Sequence, residues 1–212
     1  MYKLNCKITF TEGLLGTSPN DQDLYRNYIA SKAPDATTME DEVGAVGVDG
    51  MVEKGMTVFP RTEDGQPFLY DYQIKGFYKD ACSMLSRQAK KDPETGKKVA
   101  VNESSKLTAF KKIIDGMIFP TPRQIVIHMP EGKGIGICQR PLRAQTAQGE
   151  RVALSISEEV PAGSWCEFTV VLLDESHVPA VMEWMDYGAL RGIGQWRNSG
   201  KGRFTWEWKE EE

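Results

Sequence analysis

Toward the end of the chain, "GIGQWRNSGKGRF" sets four glycines, Gly192, Gly194, Gly200 and Gly202, among Arg197, Lys201 and Arg203, directly before an aromatic run. Glycine weakens regular structure and is used where the backbone needs a positive φ or must approach something closely. A helix-to-strand connection ordinarily takes about 2 to 6 residues and one glycine. This loop therefore either turns back on itself or receives a ligand. The chemistry it offers is anion binding, because backbone N–H groups in a glycine-rich concavity, helped by two arginines and a lysine, can hold phosphates. It is not a dinucleotide fingerprint, since it follows a helical pattern and precedes a strand, the reverse of the required context. Trp196 in the same loop offers a face on which a base can stack.

Two other places offer the same chemistry. Lys75 and Gly76 in "QIKGFYKD" fall at a predicted helix start, where orphan amides and the macrodipole favour an anion. Arg140 and Arg143 in "CQRPLRAQ" suit an arm that grips a strand, since arginine pairs with phosphate bidentately and stacks on bases. Each has a plain alternative: loop bases facing water, a solvated lysine beside a packing glycine, and a solvated hairpin. Trp206 and Trp208 read as core or interface.

Other chemistries find little material. Cys6, Cys82, Cys138 and Cys166 are far apart with no CxxC pair, so neither a zinc site nor a disulfide framework is suggested. His128 lies in a strand pattern and reads as structural, and His177 near a helix start reads as a surface residue or cap. No Ser-His-Asp set, metal cluster or P-loop is present. No catalytic residue, metal or cofactor is assigned.

The elements that must position these residues follow from periodicity. Residues Tyr2 to Phe10 alternate Tyr2, Leu4, Cys6, Ile8 and Phe10 against polar neighbours, the pattern of a half-buried strand. An acidic excursion follows, with a short helix expected around Leu24 to Ala30. "QIKGFYKDACSMLSR" and the set Leu107, Phe110, Ile113 and Ile114 have helical spacing. "RQIVIHM" is expected as a strand, and the polar stretch after it as a hairpin or long loop with extended arms. "SWCEFTVVLL" is the strongest strand pattern. A helix follows it, with Asp174 and Ser176 as caps and Pro179 in its first turn, and "RFTWEWK" closes as a strand. The order predicts an α+β fold: a ferredoxin-like (RRM-like) sheet with two core helices. An inserted arm at about residues 12–66 and a hairpin insertion at about 130–160 complete it.

The 212 residues, 40% hydrophobic and 26% charged, suit a folded globular chain. The N-terminus lacks a signal-peptide h-region and no apolar run approaches the ~18 residues of a membrane span, so a cytoplasmic, non-membrane protein is expected. A net charge of −4 argues against nucleic acid, but the charge is segregated. Residues 12–54 carry a balance of −6 and residues 75–112 a balance of +6, so a basic face coexists with an acidic whole.

Four blocks, in one order, resemble a known family. "ITFTEGLLGTS" resembles the opening of the RAMP superfamily, the repeat-associated proteins that build CRISPR effector complexes. "DGQPFLYDYQIKGFYKDACSML" resembles the segment that leads into the first core helix of its backbone subunits. "CQRPLRAQTAQGERVALSISEEVPAGSWCEFTVVLL" resembles their hairpin and following strand, and "GIGQWRNSGKGRF" their C-terminal glycine-rich loop. The acidic segment, residues 20–58, fits the place of a variable insertion in a single RAMP-like domain over 1–212. The resemblance implies binding of single-stranded RNA on the face of a ferredoxin-like sheet, in a chain that works as a homo- or hetero-oligomer. A stand-alone relative in a phage or mobile element is equally compatible.

The leading expectation is thus a non-catalytic single-stranded nucleic-acid-binding protein, with RNA favoured over DNA. A protein-interaction or decoy subunit of mobile-element origin, engaging a partner through its acidic face, is the first alternative. A metal-dependent ribonuclease is the second: some backbone subunits cut RNA with a loop aspartate, and Asp21, Asp23, Asp35 and Asp49 lie in the comparable insertion.

Overall fold

The alternation of the first strand is what seats it at the centre of the protein. In a computed structural model that describes residues 1–20, 56–96, 98–146 and 149–210, β1 (Tyr2–Phe10) turns Leu4, Cys6, Ile8 and Phe10 to one face, where all four are buried. Leu4, Ile8 and Phe10 each gain about 1.5–3 kcal/mol on leaving water. The helix that covers this face, α1 (Asp71–Leu85), buries Ile74, Phe77, Tyr78, Ala81 and Cys82 at helical spacing. It begins where the Gln73 side chain accepts the Tyr70 amide at 2.8 Å. α2 (Phe110–Met117) runs directly into β2 (Ile118–Thr121).

A long hairpin follows, β3 (Gly136–Thr146) and β4 (Gly149–Val160), paired antiparallel from Gly136 opposite Glu159 to Thr146 opposite Gly149. Then come β5 (Trp165–Leu172), α3 (Val178–Arg191) and β6 (Phe204–Glu210). Asp174 accepts the Ser176 amide at 2.9 Å and so caps the short turn Glu175–His177 rather than α3, whose N-cap position is His177. Pro179 lies in the first turn of α3, as expected.

The main sheet has four strands in the order β6-β1-β5-β2, each antiparallel to its neighbour. Its buried face packs on α1 and α3, where Tyr78 meets Trp184 at 5.3 Å and Phe77 meets Phe204 at 5.4 Å between ring centroids. Trp206 and Trp208 share that face, half-buried against the core, and the Trp206 indole N–H donates to Asp186 at 2.8 Å. α3 meets β6 at Gly188, where the Phe204 ring fills the space a Cβ would need. Among the described residues both helices and strands contribute, with several antiparallel sheets, so the mixed α and β class stands. Among the described residues no helix is long and apolar enough to cross a membrane.

Three expectations are corrected. The second strand of the main sheet is Ile118–Thr121, not "RQIVIHM": Gln124–Val126 pairs instead with Phe68–Tyr70, and His128 makes a single bridge to Trp165. Pro120 is tolerated in β2 because that strand is an edge, where a missing N–H costs no ladder bond. The arm is shorter than residues 12–66. Leu14 and Leu15 are fully buried and pair with β4, and Phe59 belongs to the core. The described parts of the arm leave and return together, with Ser18–Pro19 against Thr57–Val58 and the Asn20 amide donating to the Met56 carbonyl at 3.0 Å. Lastly, Lys75 and Gly76 are not at a helix start. α1 begins at Asp71, so they lie in its second turn, beyond most of the orphan amides. The short helix expected at Leu24 to Ala30, and Asp21, Asp23, Asp35 and Asp49, lie outside the described residues.

Candidate nucleic-acid interface

The glycine-rich loop closes on itself. The Ile193 amide donates to the Gly202 carbonyl at 2.9 Å, the Gly202 amide donates to the Gly13 carbonyl at 2.9 Å, and Ile193 is buried. Gly192, Gly194, Gly200 and Gly202 all have positive φ. A Cβ on Gly202 would lie 2.0 Å from the Ile193 carbonyl oxygen, and one on Gly192 would lie 2.6 Å from that of Lys201. Backbone packing against backbone is thus reason enough for these two glycines, without a ligand.

The bases of the loop are held by carboxylates. Arg197 Nη1 pairs with Asp80 Oδ2 at 2.5 Å, and Arg191 Nε reaches the same oxygen at 3.0 Å. Lys201 pairs with Glu159 of β4 at 2.5 Å, and this bond raises the lysine pKa. Arg203 is exposed, with its guanidinium beside Gly200. A cavity of about 170 Å³ lies between loop and helix, lined by Gly76, Phe77, Asp80, Ile193, Gly194 and Arg197. Gly76 therefore lines the cavity beside the loop. Lys75 points elsewhere: its ammonium donates to the Asp115 carbonyl at 3.1 Å and sits over the Phe119 ring at 4.4 Å.

The hairpin joins the loop through Arg140. Its Nη2 donates to Gln195 Oε1 at 2.9 Å and its guanidinium lies 5.0 Å from the centre of the Trp196 ring. Gln195 is tied down in turn, donating to the Gly16 carbonyl at 2.9 Å and to Thr57 at 3.3 Å. Thr57 donates to Ser157 of β4 at 2.7 Å. Arg143 lies three residues on in β3, opposite Val152. Gly76, Arg140, Gly192, Gly194, Trp196, Arg197, Gly200, Lys201, Gly202 and Arg203 thus sit where loop, α1 and hairpin base converge, and Lys75 does not.

Asp80 was missed from the sequence, although its offset of four from Gly76 places both on one helix face. Gln195 was missed because a neutral amide between Gly194 and Trp196 carries no signal of its own. Burial alone would push the Asp80 carboxyl up, but the Arg191 hydrogen bond and the Arg197 charge outweigh it and hold it below its ordinary value. A depressed carboxyl stabilises the fold above its unfolded pKa, about 3.9, and that contribution disappears as pH falls through the folded value. The stability difference between the wild type and Asp80→Asn in urea is therefore expected to stay constant from about pH 8 to 5 and to shrink below about pH 4. A difference unchanged at pH 3 would exclude the ion pair as its source.

The open face of the main sheet is different in character. Lys7 lies between Glu167 and Glu207 on the flanking strands, and its ammonium sits 4.5 Å over Trp165, which stacks on His128 at 4.2 Å. Among the described residues there is no group of three or more His, Cys, Asp and Glu side chains that could hold a metal ion.

No family model and no curated protein matches this chain. Among solved structures it is similar to a chain in the cryo-EM structure of the Type III-B Cmr-beta bound to cognate target RNA, with a TM-score of 0.56 and 12% identity. The match covers 99% of this chain and 60% of the other, so the chain spans less than two thirds of its neighbour's length. At that identity the likeness is one of fold.

Proposed function

We propose that this chain is a RAMP-superfamily relative that binds single-stranded RNA as a subunit of a multi-subunit complex. The observation that carries the reading is the likeness of fold, over 99% of the chain, to a component of an RNA-bound Cmr assembly. The main sheet supports the ferredoxin-like part of the proposal. Numbered along the chain with the hairpin left out, its strands run fourth, first, third, second, with α1 and α2 before the second and α3 before the fourth. Residues 1–212 are read as one domain with an insertion near 20–58, a reading favoured by the hydrogen bond that joins Asn20 to Met56.

We place the strand along the glycine-rich loop and hairpin base rather than across the open sheet face. Arg197, Lys201, Arg203 and Arg140 gather on the first, whereas Glu167 and Glu207 flank Lys7 on the second. A phosphate would replace Asp80 and Glu159 as partner of the loop bases, exchanging one charge-assisted bond for another.

Anisotropy of a labelled 20-nucleotide RNA, and of the same sequence as DNA, tests this across a salt series. Affinity is expected to fall steeply with salt, by about 0.7 in log–log slope per phosphate engaged, with RNA bound more tightly. No binding at low salt would overturn the proposal. It would favour the protein-interaction reading, which the occupied state of Arg197 and Lys201 also supports.

A further inference from the structure

We infer that Arg140 and Trp196 form a seat for one nucleotide of the bound strand, with its phosphate on the guanidinium and its base on the indole. The inference rests on the RNA-binding reading and deepens it.

Arg140 is 8% exposed, and its Nε and Nη1 are buried with no hydrogen-bond partner. Only Nη2 is satisfied, and by a neutral amide, Gln195. A buried guanidinium left short of acceptors is among the costliest arrangements a fold can carry, and an unbranched apolar side chain would fill the same space without that cost. The two glutamates near the base of the adjacent strand are already engaged. Glu158 accepts from Arg61 and from the Phe59 amide, and Glu159 holds Lys201. Among the described residues no acceptor completes Arg140, and an oxyanion is the group that pairs best with two open guanidinium nitrogens.

Trp196 identifies which oxyanion. It is a large aromatic side chain 40% exposed on a turn, at φ 53°, a backbone region that non-glycine residues rarely use. Its ring lies over the Arg140 guanidinium, so an anion next to Arg140 is also next to an accessible aromatic face. A carboxylate ligand would use only the first feature, whereas a nucleotide uses both. Stacking on an indole tolerates any base, so the seat places a nucleotide without reading its identity. Because Nε and Nη1 are covered in the free protein, seating a phosphate on them requires the side chains around the guanidinium, Trp196 among them, to shift.

The test uses the full chain, a labelled 12-nucleotide adenosine RNA and three variants. Arg140→Met is expected to melt at or above the wild-type temperature and to bind the RNA at least ten-fold more weakly. Trp196→Ala is expected to lose about ten-fold in affinity with its melting temperature nearly unchanged, while Trp196→Phe keeps most of the binding. An Arg140→Met protein that melts lower yet binds like the wild type would make Arg140 a strut and overturn the seat. Should Arg140→Met fold poorly, the Trp196 pair decides: equal binding by both variants and the wild type overturns the seat, and loss in the alanine variant alone supports it. If the wild type itself fails to bind the RNA at low salt, the RNA reading falls. If it binds and the Arg140 and Trp196 variants match it, only the seat falls.

Discussion

Replacing Gly202 with alanine is expected to lower the unfolding free energy by about 3 kcal/mol, or roughly 6–12 °C in melting temperature for a chain of this size. Two costs combine. The residue has φ 70°, where a Cβ costs about 1–2 kcal/mol, and that Cβ would stand 2.0 Å from the Ile193 carbonyl oxygen, which belongs to backbone and cannot rotate away. Relief would require breaking the Ile193–Gly202 hydrogen bond and withdrawing buried Ile193 from the core. Gly65→Ala is the control, because Gly65 also has positive φ, at 78°, but has open space around the missing Cβ. Chemical denaturation of both variants separates the terms, and a Gly202 variant no weaker than the Gly65 variant would show that the loop can relax.

The second large effect is on binding. Changing Arg197, Lys201 and Arg203 together to glutamine is expected to weaken single-stranded RNA about 100-fold at 50 mM salt and to lower the log–log salt slope by about 2. Each charge-assisted contact to phosphate is worth about 1.5–3 kcal/mol. Asp80 and Glu159 compete for two of the bases, leaving a net of about 1 kcal/mol per base. Glutamine is the right replacement, because glutamate would set like charges against Asp80 and Glu159 and confuse lost stability with lost binding. Both ion pairs are partly exposed, so the neutral variant should lose no more than about 1 kcal/mol per pair. Unchanged RNA affinity in a folded triple variant would remove the loop from the interface.

The strands that lie half in the core were legible because burial on one face writes itself as alternation: Leu4 to Phe10, Cys166 to Leu172 and Phe204 to Trp208 all read correctly. The hairpin was legible as two extended polar arms. β2 was not, because "IFPT" is short, carries a proline and runs on from a helix, so no period develops. Its place was given to the richer β-branched run at Gln124–Val126, which pairs off the main sheet. The glycine-rich loop announced itself by composition, but that composition has a structural cause at Gly192 and Gly202, and the acids that hold its bases come from 117 and 42 residues away. The burial of Arg140 left no trace in sequence, since an arginine in a polar strand reads as solvated until Gln195 and Trp196 fold over it.

The position of β1 has a consequence for how the chain acquires its fold. The first strand is central, paired on one side with β5 and on the other with β6, so Leu4 meets Val170 and Glu210. During synthesis at about 5–20 residues per second, both of its edges wait roughly 10–40 s for their partners to emerge. Closure then demands contacts between opposite ends of the sequence, the slowest kind to form. In that interval β1 is an unpaired strand with one apolar face, the form most open to pairing with other chains. Lys3, Asn5 and Lys7 on its other face are the residues that keep such a strand apart from its copies until the last one arrives.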